Sequence, residues 1–353
     1  MGLKERIAER IESQGPLPFD EFMQQALYDP EEGFFATSPV GRHFVTSPHV
    51  SPVFAACIAS LLSRVRSVLP NMTLLEVGCG DGTLAEQLAA SAPSLAVETD
   101  LVLVDRDPEA RRRASQRQLR FRTVRVLDEI PSEPIEGLIF SNELFDNIPF
   151  HRLRGYRGEP VEVAVGLTEH GFTEVTIPPR REVVAAATRI PDEGAEVIVS
   201  PASQALLGTM AEHLQEGYLV AIDYGDHGDH RAGGVRGYRD NAFVEDVLDR
   251  PGSCDITGPV DLAALLAVAG KAGLAPALGD GIVSQRELLM RLGFKGFLDD
   301  MVSRQKAAET QGDHRAAVAI WNARGEASML VDEGQLGGLG ALVVRTPRMP
   351  RLG

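Results

Sequence analysis

Residues 73–105 constrain the architecture more tightly than any other stretch. The apolar run Leu74-Leu75-Glu76-Val77 passes through Gly78-Cys79-Gly80-Asp81-Gly82 into Thr83-Leu84-Ala85-Glu86-Gln87-Leu88, and a second apolar run, Leu101-Val102-Leu103-Val104, closes on Asp105. Strand, glycine turn, helix and strand in that order define a βαβ unit with parallel strands. The rhythm continues, with strands predicted at 73–77, 100–104, 122–126, 136–140 and 218–222, helices at 82–91, 108–118 and 201–215, and a closing strand at 340–345. The fold class expected is α/β, a doubly wound, Rossmann-like sheet with helices on both faces.

Around this core the pattern changes. Residues 3–14 read as a short amphipathic helix, and Pro18 suits the first position of a second helix carrying Phe19, Phe22, Met23, Ala26 and Leu27. Residues 33–52 lack a clean period and predict an ordered loop, followed by a helix over 53–69. Alternation around Val161-Glu162-Val163 and Thr173-Glu174-Val175 flanks the turn Glu169-His170-Gly171, which predicts an inserted β-hairpin at about 150–178. Residues 224–258 are rich in Gly, Asp, His and Arg and are read as a lid loop. Helices follow at 260–272, 284–292, 295–309 and 313–324. The organisation expected is residues 1–60 as N-terminal helices and a cofactor-covering loop, then a catalytic domain over 61–353 with a helical insertion at about 284–335.

A chain of 353 residues with 44% hydrophobic content can bury a large core unaided. Its formal net charge is -15, and the only cationic run is Arg111-Arg112-Arg113, so no basic stripe is available for a phosphate backbone and nucleic acid is excluded as a partner. An acidic surface favours a basic protein or a cationic side chain. Cys57, Cys79 and Cys254 lie far apart without metal-ligand spacing, which fits a reducing compartment. The segment Met1 to Gln14 interleaves charges with apolar residues unlike a signal peptide, and no run approaches the length of a membrane span. These features lead to the expectation of a cytoplasmic protein without membrane insertion.

The glycine spacing discriminates between adenosine cofactors. A dinucleotide fold uses G-x-G-x-x-G and sets a pyrophosphate on the helix N-terminus. Here Gly78, Gly80 and Gly82 form a tighter G-x-G-x-G turn, with Glu76 before it and Asp81 inside it. Negative charge there opposes a pyrophosphate and suits the amino group and sulfonium of S-adenosylmethionine, while Asp105 can accept hydrogen bonds from both ribose hydroxyls. Nicotinamide binding and a plain tight turn are the competing readings. Asp226-His227-Gly228-Asp229-His230 has metal-ligating residue types, but they crowd one loop with no second cluster, and no metal is assigned.

Several separated segments resemble the MidA family of methyltransferases, whose mitochondrial member is an assembly factor for respiratory complex I that methylates an arginine of a complex I subunit. They are Tyr28-Asp29-Pro30 with Gly33-Phe34-Phe35, Phe44-Val45-Thr46-Ser47-Pro48, the glycine turn, and Ser141-Asn142-Glu143-Leu144-Phe145-Asp146-Asn147-Ile148-Pro149. Ile222-Asp223-Tyr224-Gly225, Pro251-Gly252-Ser253-Cys254-Asp255-Ile256-Thr257 and Ser284-Gln285 complete the set. Gly41-Arg42-His43-Phe44 stands where the family tends to have Gly-Asp-Phe, and Cys79 where proline is usual, departures that bear on substrate choice. The resemblance implies a class I methyltransferase sheet with an N-terminal helical cap and a C-terminal helical insertion. It also implies methyl transfer to arginine in a protein acceptor, with a complex I subunit as the family's precedent.

Methyl transfer from a sulfonium is an in-line displacement, so the protein must align the reactants and exclude water. A guanidinium is protonated at neutral pH and needs carboxylates to orient it and accept its proton. Asn142-Glu143-Leu144-Phe145-Asp146 follows the strand Gly137-Leu138-Ile139-Phe140 at the carboxyl edge of the sheet. Glu143 is assigned to orienting the acceptor nitrogen, Asp146 to charge stabilisation or proton acceptance, and Asn142 to the methionine tail or acceptor. A polar loop with Asp146 as a helix cap is the plain alternative. Thr46, Ser47 and Pro48 are expected to fold over the cofactor and offer hydroxyls. A small-molecule acceptor, or a binding factor that keeps the fold without turnover, are the other functional readings.

Overall fold

The computed structural model describes residues 1–37, 46–225, 234–240 and 242–352. The chain divides into two compact units, one built from Met1–Phe44, Leu144–Thr209 and Tyr224–Val268, the other from Val45–Glu143, Met210–Asp223 and Ala269–Gly353.

The second unit contains the expected doubly wound sheet. Its strands, in spatial order, are Ala275–Pro276, Gly340–Arg345, Leu214–Asp223, Ile135–Asn142, Met72–Val77, Thr99–Val104 and Thr123–Leu127, with Ile282–Ser284 also pairing Gly340–Arg345. The pairings from Leu214–Asp223 to Thr123–Leu127 are all parallel, and Gly340–Arg345 joins antiparallel beside Leu214–Asp223. Counted in chain order, the parallel strands run 3-2-1-4-5, so the order reverses between Met72–Val77 and Ile135–Asn142. Ligands of open α/β sheets bind outside the carboxyl ends at such a switch point.

Near-continuous Val, Ile and Leu in these strands reflects burial on both faces. Leu74, Leu101, Leu103, Leu138, Phe140, Val220 and Ile222 enter one core with Phe54, Ile58, Leu61 and Leu62 of the helix Pro52–Arg66 and with Leu84 and Leu88 of Thr83–Ser91. Ser51 caps the first of these helices by accepting the Val53 N–H, and Asp107 caps Pro108–Gln116 by accepting the Glu109 and Ala110 N–H groups. The C-terminal helices Gln285–Arg291, Phe294–Thr310 and His314–Met329 send Leu288, Leu289, Phe294, Met301 and Ala327 into this core.

The first unit holds a five-stranded sheet in which Leu17–Pro18, Glu159–Thr168, His151–Tyr156 and Glu196–Val199 follow in order and Gly171–Ile177 pairs Glu159–Thr168. The predicted hairpin is thus Glu159–Thr168 with Gly171–Ile177, closed at Glu169-His170, inside a larger antiparallel sheet. Helices Leu3–Gln14 and Phe19–Tyr28 bury Leu3, Ile7, Ile11, Phe19, Phe22, Met23 and Leu27 with Phe150, Val165 and Ile256. The four-residue recurrence of Leu3, Ile7 and Ile11 is one face of a helix.

Two local differences from the sequence expectation have simple causes. Pro18 precedes the helix as its N-cap and pairs with Ala164, because the extended backbone at Leu17–Pro18 adds a short edge to the sheet. Within 224–258, the strands Arg236–Arg239, Ala242–Val244 and Asp255–Thr257 form a three-stranded antiparallel sheet rather than an aperiodic loop. Strands of three or four residues are too short to display a period of two. No helix among the described residues is long and apolar enough to cross a membrane.

Candidate active site

The first core strand ends in a turn whose backbone requires glycine. Gly78, Gly80 and Gly82 have φ of 74°, 53° and 77°, in the left-handed region. A Cβ at Gly82 would also meet Cα and Cβ of Ala114 at 3.2 Å, so the helix Pro108–Gln116 packs directly on the turn. The Gly78 and Cys79 N–H groups donate to the Val104 carbonyl at 2.8 and 3.1 Å, and Gly80 N–H donates to Asp105 Oδ2 at 2.9 Å. Asp105 Oδ1 accepts the Asp107 N–H at 2.9 Å. Each carboxylate oxygen has two acceptor sites, so these bonds orient Asp105 and leave one site per oxygen for a ligand.

The three acids around the turn differ sharply. Glu76 is 5% exposed, and Oε2 has no hydrogen-bond partner among the described residues. Burial first, then the charges of Asp105 and Asp81, pushes its carboxyl up to about 8. Burial also raises Asp105, against the hydrogen bonds from Asp107 and Gly80. Burial would raise Asp81 too, but the His49 imidazole 3.7 Å away, the hydrogen bonds from Thr83 and the charge of Arg117 hold it well below the ordinary range. Arg117 pairs with Asp81 Oδ2 and with Glu86, and Thr83 Oγ1 donates to Asp81 Oδ1 at 2.7 Å. The sequence-based assignment of free negative charge to Asp81 is therefore corrected: its charge is consumed by a guanidinium 36 residues away, and Glu76 is the carboxyl of the turn without an ion-pair partner among the described residues.

The short helix Ser47–Val50 is tied to this turn at several points. Thr46 Oγ1 bonds His49 Nδ1 at 2.8 Å, His49 Nε2 lies 3.3 Å from Thr83 Oγ1, and Gln87 Nε2 donates to the Pro48 carbonyl at 2.9 Å. Ser47 is wholly buried, with its N–H donating to Glu143 Oε1 at 3.1 Å and its hydroxyl to Gln285 Oε1 at 3.0 Å. Asn142 Nδ2 donates to Glu143 Oε1 at 2.7 Å, and Asn142 Oδ1 is buried without a hydrogen-bond partner among the described residues. Glu143 has φ 52°, rare for a residue with a side chain, while its N–H donates to the Ile222 carbonyl at 2.8 Å. Desolvation, and secondarily the charge of Asp223, raises its carboxyl to about 7 against the hydrogen bonds from Ser47 and Asn142.

Thr46, Ser47, Pro48, Glu76, Gly78, Gly80, Gly82, Asp105, Asn142 and Glu143 all belong to the second unit. Asp146 belongs to the first, in the turn Phe145–Asn147, where it is buried and its carbonyl accepts the Gly258 N–H at 3.4 Å. Its neighbour Asn147 donates Nδ2 to Asp255 Oδ1 at 2.9 Å, and burial lifts Asp255 to about 7. His49, Arg117 and Gln285 carry the site's internal bonds and were not singled out individually from the sequence; only Ser284-Gln285 had a signal, as part of the family pattern. Asp20, His151 and Glu162 approach one another as metal ligands do. Arg180 already supplies the cation there, with Nη2 at 2.6 Å from Asp20 Oδ1 and 3.0 Å from Glu162 Oε1. The loop Asp226-His227-Gly228-Asp229-His230 and the Arg42-His43 departure lie outside the described residues.

A buried acceptor left dry costs about 1–3 kcal/mol, so the orphaned oxygens of Glu76 and Asn142 fit a ligand that brings donors or positive charge. With Asp105 oriented at the end of the adjacent strand, the residues match an adenosine ligand bearing an ammonium and a sulfonium. Such a fold and site define a methyltransferase that uses S-adenosylmethionine. Residues 53–278, more than half of the chain, match the family described as "Putative S-adenosyl-L-methionine-dependent methyltransferase", and the chain belongs to that family. It is 26% identical over 331 residues to "Protein arginine methyltransferase NDUFAF7, mitochondrial" of Xenopus tropicalis, covering 80% of this chain and 74% of that one. It is 25% identical over 342 residues to the Drosophila melanogaster homolog, covering 85% and 77%. A crystal structure of a Burkholderia thailandensis protein bound to S-adenosyl-homocysteine matches with a TM-score of 0.82 at 25% identity, covering 97% of this chain and 91% of that one. A second structure from the same organism matches at 0.83 and 26%, covering 99% and 93%. The cofactor is S-adenosylmethionine.

The comparisons correct one expectation. The named curated relatives are mitochondrial, which points away from the cytoplasmic location read from the sequence. Cys57, Cys79 and Cys254 are free and buried, and cysteine usage of this kind carries no address.

Proposed function

We propose that the protein methylates an arginine side chain of a protein acceptor. The observation that carries this reading is Glu143, a carboxyl at the carboxyl edge of the sheet raised to about 7. An arginine nitrogen must shed a proton as it is alkylated, and a base poised near the working pH receives it best. Both side-chain hydrogen bonds to Glu143 among the described residues land on Oε1, which leaves Oε2 to accept a guanidinium N–H. The cofactor supplies an electrophilic methyl group on a positively charged sulfur. In this reading Gly78, Gly80 and Gly82 let backbone approach it, Asp105 takes the ribose hydroxyls, and Glu76 and Asn142 face its charged tail, with Thr46, Ser47 and Pro48 alongside. Asp146 keeps its assignment to charge stabilisation or proton acceptance. The relatives named protein arginine methyltransferases and the net charge of -15 support a cationic acceptor.

The test is incubation of the purified chain with methyl-labelled cofactor and lysate of its own host, followed by mass spectrometry. Label on an arginine of a protein supports the reading, and a respiratory complex I subunit, as the sequence resemblance implies, is the first acceptor to look for. Label confined to a small metabolite, or no label with the cofactor bound, overturns it.

A further inference from the structure

Gln285 has no part in the chemistry described so far, yet it is wholly buried and bonded at both ends of its side-chain amide. Its Oε1 accepts the Ser47 hydroxyl at 3.0 Å, its Nε2 donates to the Leu330 carbonyl at 3.0 Å, and its backbone N–H donates to the Leu339 carbonyl at 2.7 Å. The side-chain amide is therefore held at both ends, and it holds Ser47 across 238 residues of sequence. Ser47–Val50 is a single helical turn, which does not maintain itself in isolation. Gln87 fastens the turn at Pro48, and His49 fastens it toward Thr83. Gln285 alone among these acts on the residue whose N–H reaches Glu143.

We propose that Gln285 is a positioning residue for methyl transfer: by clamping the Ser47 hydroxyl it keeps the Ser47 backbone N–H aimed at Glu143 Oε1. The inference rests on the reading of Glu143 as the carboxyl that serves the acceptor. A donor bonded to a carboxylate favours its ionised form, so releasing Ser47 raises the pH at which Glu143 loses its proton. Ser47 cannot supply the clamp from its own turn, because its hydroxyl and its N–H are committed in two directions.

The experiment is carbon-13 NMR on the full chain labelled at the glutamate side-chain carboxyl, with the Glu143 resonance identified by its loss in Glu143→Gln. In Gln285→Leu the Glu143 midpoint is expected to rise by about one pH unit, with cofactor affinity held within about threefold. Ser47→Ala should give the same rise, and the double variant no further one, because both cut one chain of bonds. If Gln285→Leu does not fold, Ser47→Ala carries the test, since it removes one oxygen and leaves the N–H. A folded variant with an unmoved Glu143 midpoint, or additive shifts in the double variant, overturns the proposal. The titration needs no acceptor: a shift without arginine labelling in lysate upholds the clamp and sinks the acceptor reading, and labelling without a shift does the reverse.

Discussion

The Gly80 N–H donates to Asp105 Oδ2 at 2.9 Å, so the glycine turn and the acid that closes the next strand form one bonded unit. A side chain at position 80 must adopt φ 53°, and any tilt of the peptide releases Asp105. Gly80→Val is expected to bring cofactor binding below detection by calorimetry while circular dichroism stays native. Asp105→Ala should weaken binding about 10- to 100-fold, the range for losing a charge-assisted hydrogen bond. Normal affinity in folded Gly80→Val would place the cofactor elsewhere.

Glu76 makes cofactor binding depend on pH. Its carboxyl holds its proton up to about 8 in the free protein, and a neighbouring cation favours the ionised form. Affinity is therefore expected to rise with pH toward 8, and calorimetry in buffers of different ionisation enthalpy should detect release of a proton on binding at neutral pH. Glu76→Gln should lose both effects. The sign for stability is opposite to that of a salt-bridged acid: with the folded-state value raised from 4.5, the contribution is complete below 4.5 and lost as pH rises through about 8. Denaturant titrations of the cofactor-free protein, wild type against Glu76→Gln, check that slope.

Glu143→Ala should bind the cofactor with near-normal affinity and lose about 100- to 10,000-fold in turnover, as expected for removal of a general base. The wild-type rate should rise with pH through about 7, where Glu143 ionises. A Glu143→Ala variant with full turnover would remove this carboxyl from the chemistry.

Arg117 holds two acids, Asp81 within the turn and Glu86 on the following helix. Arg117→Ala leaves Asp81 without its cation, at a cost of about 1.5–3 kcal/mol by the scale for hydrogen bonds to charged groups. Because Asp81 lies below its ordinary range, its stabilisation is present above the unfolded-state value and is lost as pH falls through the folded one. The loss in Arg117→Ala should accordingly be larger at neutral pH than in strong acid, which urea midpoints at the two conditions measure. Arg117→Lys should recover part of it, since one ammonium cannot reproduce a guanidinium fork.

Local pattern made half of the site readable. Gly78, Gly80, Gly82 and Asp105 sit on one βαβ unit, where spacing along the chain is spacing in space, and Glu143 follows an unmistakable buried strand. The rest depends on contacts between distant segments. Ser47 and Glu143 are 96 residues apart, and Ser47 and Gln285 are 238 apart, so no periodicity relates them. Asp81 was misjudged because its partner, Arg117, lies 36 residues away just past the helix Pro108–Gln116, and no spacing rule relates the two. The small sheet over residues 236–257 escaped notice because strands of three or four residues repeat a two-residue alternation too few times to reveal it.

The antiparallel strand Gly340–Arg345 covers the side of Leu214–Asp223 that would otherwise carry unpaired backbone groups. During synthesis the ribosome delivers residues 214–223 long before 340–345, so a nascent chain carries an open, apolar sheet edge for more than a hundred codons. A translation stall within that interval exposes a surface suited to chaperone capture or to self-association.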